Sequence, residues 1–312
     1  MTPKAAPRGK IVVAHPERKA QRTLQRLVGA TLCPVEVVAD VDALLAALDD
    51  SAIAIVDVGI AQARPDLCKS TARAWIAVPG EGMTPADAAA TSVLLAAGWH
   101  HVVSHPMPLL AEELIATVQK VIRNDVFGLE KYMAWGAEVR SYALEDARDR
   151  DAAVATLAAD VLAVGLPERI GSLVSVIADE LIANAVYAAP VDDSGARFRA
   201  QESRDTSRAL TGRDMVTLRW ATDARYVAIE VRDKWGSIDV AEVTRKLAAG
   251  GNQVSSDAEG GMGLPLAYAC ANQLVIDCEP RAMTEVIALL DVRYKPTELA
   301  RTASFHAFIQ AC

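Results

Sequence analysis

The sequence lacks the features that would mark a disulfide framework, a zinc site or a membrane anchor. Its five cysteines (Cys33, Cys68, Cys270, Cys278, Cys312) form no CxxC and keep no regular spacing, which argues against a metal knuckle and fits a reducing compartment. No charged-then-apolar leader opens the chain, and no uncharged apolar run approaches the length of a bilayer crossing, so a cytoplasmic location without a membrane partner is expected. An excess of cations is missing too. The net charge is −8, which argues against nucleic acid as a partner, and the local basic stretch from Lys4 to Arg26 reads as a solvated face. A GxxxxGK run is absent, which excludes a P-loop, and GxGxxG spacing fails because Leu266 stands where its last glycine belongs.

What remains is an ordinary globular composition. With 312 residues, 52% of them hydrophobic, the chain can fill two cores. Residues 10–123 alternate short apolar runs ("KIVVA", "VEVVA", "AIAIVDV", "AWIAVPG", "HHVVSHP") with amphipathic helical stretches. Buried parallel strands read as continuous apolar runs and need helical crossovers, so five such strands predict a doubly wound parallel α/β layer with its functional end at the strand C-termini. Residues 1–9 form a tail, 124–135 a linker, 136–294 a second α/β unit, and 295–312 a tail in which "ASFHAFIQ" offers an edge strand.

The second unit carries the chemistry. In "VIADELIANAVYAAP" an apolar helical stripe is interrupted by Glu180 and Asn184, one turn apart and therefore on one face. By itself such a pair is usually the solvated edge of a surface helix. A polar stretch between Val191 and Asp214 reads as a long loop, two strands end at Asp233 in "VRDKWGSID", and "GGMGLPLAYA" sets Gly260, Gly261 and Gly263 before a helix. Backbone N–H groups at such a helix start can receive phosphate oxygens, though glycines there are as often a plain turn. The histidines (His15, His100, His101, His105, His306) all fall outside residues 107–305, so no histidine stands between the two units.

Taken in order, "ELIANA", "RDKWGSI" and "GGMGL" resemble the GHKL superfamily of ATP-binding domains over residues 136–294, and within it the lead-in "ATLAADVLAVGLPERIGSLVSVIADELIANAV" is most similar to the anti-sigma-factor serine kinase branch. The resemblance implies a Bergerat-type α/β sandwich, a mixed sheet covered by helices. It implies that Asn184 coordinates the Mg²⁺ bridging the phosphates of ATP, that Glu180 orients or deprotonates the nucleophile, and that Asp233 accepts a hydrogen bond from the adenine amino group. Gly261 and Gly263 would let a lid close over the phosphates, Thr284 would stand near adenine, and Gly236 belongs to the adenine loop. Where the family has DxGxG, this chain has Asp233, Trp235 and Ser237, so Trp235 either stacks on the base or blocks it.

Residues 10–123 resemble the receiver domain of response regulators, with Asp57 at the position of the phosphoacceptor. The acidic pair that holds Mg²⁺ in receivers is replaced by His15 and Pro16, with Glu17 kept beside them, and the receiver lysine is replaced by His105. A degenerate receiver used for docking or dimerisation is the reading that follows, with Asp57 as a loop-solvating carboxylate the plain alternative. The two resemblances together imply a signalling protein that binds Mg-ATP and acts in trans on a protein partner, as a serine/threonine kinase, a weak ATPase or an ATP-gated switch. A non-catalytic scaffold and a phosphorelay through Asp57 are the alternatives, and self-pairing as a homodimer is left open.

Overall fold

The computed structural model describes residues 9–80, 85–105, 111–203, 206–250, 263–293 and 303–310, and the chain divides into two compact units, 1–126 with 304–306 and 127–303 with 307–312. In the first unit β1 (Ile11–Ala14), β2 (Val35–Val38), β3 (Ile53–Asp57), β4 (Ala74–Val78) and β5 (His101–Val102) are parallel in the order β2-β1-β3-β4-β5. Between them run α1 (Arg18–Gly29), α2 (Val41–Ala47), α3 (Val58–Ala63) and α4 (Pro85–Ala97), and α5 (Ala111–Arg123) follows the last strand. Every residue of β1, β3 and β4 is buried except Asp57, so the runs "IVVA", "IAIV" and "AWIAV" are apolar on both faces of the strand.

This unit also holds a buried polar cluster. The C-terminal strand Ser304–Ile309 begins beside β5, pairing antiparallel at Phe305↔Val102 and His306↔His101. The Glu113 carboxylate on α5 lies 2.9 Å from His105 Nδ1 and 2.9 Å from His306 Nε2, and Ser304 Oγ lies 3.2 Å from the same His105 nitrogen. Burial alone would raise the Glu113 pKa, but the bonds and charges of the two imidazoles outweigh it and hold the pKa down at about 2.

The second unit contains β6 (Val139–Leu144), α6 (Arg150–Ala163), α7 (Glu168–Ala183), β7 (Val216–Thr222), β8 (Tyr226–Asp233), α8 (Val240–Ala249), α9 (Gly263–Cys270), β9 (Gln273–Glu279) and β10 (Met283–Asp291). Its strands lie in the order β9-β10-β8-β7-β6. Four of its pairings, β6–β7, β7–β8, β8–β10 and β9–β10, are antiparallel, as the β7–β8 and β9–β10 hairpins require. Alternation along β8 assigns the two faces. Ile229, Val231 and Asp233 point one way and Glu230 and Arg232 the other.

Behind the sheet, Arg219 donates to Glu230 at 3.0 Å and Arg232 Nε to Glu285 at 2.6 Å. The backbone N–H groups of Gly128 and Leu129 donate to Glu285 and Glu230 at 2.8 and 2.9 Å, which fixes part of the stretch 124–135, expected to be a linker, onto this sheet. Burial, and then the charge of Glu285, push the Glu230 pKa up to about 7.

α7 is the central helix. Ile170, Val174, Ile177, Ala178 and Leu181 are buried along its inner stripe, and it packs against α6, α9 and β8. With the turn that extends it, Glu168–Ala188 is the one helix among the described residues long and apolar enough to cross a membrane, and 61% of its apolar window is buried inside the protein.

Candidate nucleotide site

The helix of Glu180 and Asn184 does not end as an ordinary α-helix. From Asn184 to Ala188 it widens into a π-turn in which Ala189 N donates to Asn184 O at 2.8 Å. Such a turn accommodates an extra residue in the helical ladder and re-aims the side chains around it. Here it brings Asn184, Ala188 and Ala189 to the wall of a solvent-open cleft. Asp233 and Thr284 reach the same wall from the ends of β8 and β10, where they are register partners, and Gly263 reaches it from the start of α9.

Asp233 is 4% exposed, and its Oδ1 accepts the backbone N–H groups of Trp235 at 2.8 Å and Gly236 at 3.4 Å. Burial raises its pKa from 3.8 to about 6, and those N–H groups offset only part of the desolvation. The Thr284 hydroxyl is close enough to lower that pKa slightly, yet its fully buried Oγ1 makes no hydrogen bond of normal geometry among the described residues. An acceptor and an unsatisfied hydroxyl, side by side and desolvated, make a recognition edge for a flat donor–acceptor ligand.

Gly263 has a steric requirement. A Cβ there would lie 2.7 Å from Glu180 Oε2, so any other residue at this position displaces that carboxylate. Glu180 itself is not on the cleft wall; it lies behind Gly263, half-buried, one turn before Asn184. Gly261 and Gly260 lie outside the described residues.

Gly236 sits elsewhere than its motif suggests. It is not among the lining residues; at φ +56° it packs on the β9–β10 turn, where a Cβ would meet Glu279 O at 2.2 Å, and its carbonyl accepts Arg281 N at 3.0 Å. Trp235 is also absent from the lining. Its ring is buried under the Arg213 guanidinium, 4.2 Å from the ring centroid, and edge-on to Phe198, so it neither stacks on nor blocks the cleft. Ser237, where the motif has its last glycine, lines the cleft and donates its hydroxyl to Ala189 O at 2.5 Å, tying the β8 loop to the end of the π-turn.

Sequence reasoning missed Arg197, Asp239, Glu242 and Lys246, which also line the cleft. The i,i+4 spacing of Glu242 and Lys246 on α8 was legible, but Arg197 sits in the polar stretch read as a loop. That loop has structure of its own. Asp192 caps the turn at Ser194 and Ala196, Val191 bridges to Arg197, Arg199 is buried on Asp214, and Arg208 grips Glu202 with two nitrogens.

Asp57 belongs to the first unit and takes no part in the cleft. It caps α3 by accepting Ile60 N at 3.2 Å, and its Oδ2 lies 3.3 Å from Nε2 of His15, which is 2% exposed. Burial lowers the His15 pKa, and the nearby Asp57 and Glu17 counter it in part. His105 is committed to Glu113 and Ser304.

With this geometry in hand, comparison with known families gives one assignment. Residues 145–288 match the family model of the histidine kinase-like ATPase domain. The match runs from just before α6 into β10, takes in Glu180, Asn184, Asp233, Gly263 and Thr284, and supports a GHKL-like ATP-binding domain over this segment. It covers a little under half of the chain, and the first unit lies outside it. Among curated proteins no match was found.

Proposed function

We propose that the second unit binds Mg-ATP in the cleft between α7, α8, α9 and the ends of β8 and β10, and acts in trans on a protein partner as a serine/threonine kinase of the anti-sigma type. The observation that carries this reading is the convergence of Asn184, Asp233, Thr284 and Gly263 on one cleft, from four separate elements. Asp233 and Thr284 recognise the adenine edge, which selects ATP over GTP. The N-terminus of α9 receives phosphate oxygens.

Mg²⁺ fits the donor set, because it takes few protein ligands and completes its shell with phosphate oxygens and water. Among the described residues no group of three His, Cys, Asp or Glu could hold a metal alone, and the Asn184 amide oxygen supplies one hard neutral ligand. When bound, the ion neutralises charge on the phosphates. Glu180, behind Gly263, takes the proton of the attacking hydroxyl.

A second reading is an ATP-gated switch without transfer. What favours it is the position of Glu180 off the cleft wall, together with Trp235 and Ser237 in place of two motif glycines. The first unit serves in either case as a receiver-like docking module, cytoplasmic and without a phosphate cycle on Asp57, since His15 occupies the ground a receiver gives to its metal-binding acids.

Calorimetric titration with ATP, ADP and GTP, with and without Mg²⁺, tests the binding claim. ATP binding that depends on Mg²⁺ and is lost in Asn184→Ala is the expected result, and equal affinity for GTP would remove the adenine assignment. Labelled ATP with candidate partners separates the two readings: acid-stable label on a partner that disappears in Glu180→Ala supports the kinase, and binding without transfer supports the switch.

A further inference from the structure

The cleft is poorly supplied with positive charge for a site that takes a polyphosphate. Among the described residues that line it, the carboxylates are Asp233, Asp239 and Glu242 and the only cations are Arg197 and Lys246. Both cations are already engaged by one acid. Arg197 Nη2 donates to Glu242 Oε2 at 2.7 Å, and Lys246 Nζ lies 2.7 Å from Glu242 Oε1. Asp239 is used as the cap of α8, accepting the N–H groups of Ala241 and Glu242.

The Arg197–Glu242 pair is built to be exchanged. Its side chains are 38% and 24% exposed, and ion pairs that wet are worth little. The backbone beneath Arg197 is anchored on both sides, by the Val191–Arg197 bridge around the Asp192 turn and by the buried Arg199–Asp214 pair. The guanidinium can therefore swing while the loop stays in place. α8, which carries Glu242 and Lys246, packs on α9, and Gly263 at the start of α9 lines the same cleft as Arg197, Glu242 and Lys246.

We propose that Arg197, from the 191–214 loop, is a terminal-phosphate sensor: it leaves Glu242 for the γ-phosphate of ATP, so that the loop's ties to α8 report whether a tri- or diphosphate is bound. The inference rests on the nucleotide-binding reading and deepens it. A guanidinium offers a forked donor to phosphate oxygens, and a charge-assisted pair of this kind outweighs a wet carboxylate contact. Glu242 is the competitor that keeps Arg197 off the cleft when the γ-phosphate is missing.

Calorimetry with Mg-ATP and Mg-ADP on the full chain tests it, using wild type, Arg197→Gln, Arg197→Lys and Glu242→Gln. Arg197→Gln is expected to lose about tenfold in ATP affinity while ADP affinity stays within about twofold, which also shows that the variant is folded. Arg197→Lys restores part of the loss, and Glu242→Gln tightens ATP more than ADP. An unchanged ATP-to-ADP ratio in Arg197→Gln, or equal loss of both nucleotides, overturns the sensor and leaves the nucleotide site standing. A wild-type protein that binds neither nucleotide overturns both.

Discussion

Two residues set the character of the cleft, one by what it cannot carry and one by the water it has lost. Gly263 faces Glu180 so closely that a methyl group would strike the carboxylate. Since that neighbour is the end of a flexible side chain, Gly263→Ala should change stability by no more than ~1 kcal/mol while swinging Glu180 aside. Thermal melts close to wild type combined with at least tenfold slower phosphoryl transfer are the expected pair of results.

Asp233 is the opposite case. Its pKa is raised in the folded protein, so the folded state holds the proton more tightly than the unfolded chain between pH 3.8 and about 6. The stability this group allows is therefore greatest at low pH, declines as pH rises through that window and stays reduced above it, by ~3 kcal/mol for a shift of this size. Asp233→Asn should accordingly gain more over wild type in urea unfolding at pH 7.5 than at pH 5, by ~1 kcal/mol. It should also abolish the weakening of ATP binding that wild type is expected to show below about pH 6, where the carboxylate acceptor is lost.

At the scale of elements, the site depends on how segments are tied together. Gly236 lets the chain leave β8 and cross the β9–β10 turn at a positive φ, with main-chain atoms where a side chain would begin. Gly236→Ala cannot relieve that clash by moving a side chain, so it should destabilise by ~2–4 kcal/mol, read as a fall in the urea midpoint without a change in slope. In the first unit, Glu113 joins α5 to His105 and to His306 of the C-terminal strand. Glu113→Gln removes a buried charge from two imidazoles that face it and should cost ~3 kcal/mol, with hydrogen exchange at residues 304–306 rising first.

On the scale of the whole molecule, the two units differ in how their strands are arranged. In the first, short parallel strands are punctuated by helices; in the second, β6, β7, β8, β10 and β9 pair antiparallel under a long apolar helix. A ligand that binds only the folded second unit must stabilise it by mass action. ATP at a hundred times its Kd should add ~2.7 kcal/mol to unfolding of that unit with Mg²⁺ present, and nothing in Asn184→Ala, as followed by differential scanning calorimetry.

The five parallel strands of the first unit and the helix of Glu180 and Asn184 were legible in the chain, because strand runs and helical spacing are local properties; of the residues that the family resemblance named, Asn184, Asp233, Gly263 and Thr284 line one cleft and Gly236 does not. Only the tertiary structure decided which groups share a wall. Whether Trp235 faces a ligand depends on Arg213 and Phe198, and whether Gly236 lines a site depends on a turn more than forty residues further along. Arg197 enters the cleft because a self-capped turn aims it at α8, and Glu180 stands behind the cleft because α9 packs against it. Side-chain direction and burial come from contacts between residues distant in the chain, and no local pattern encodes them.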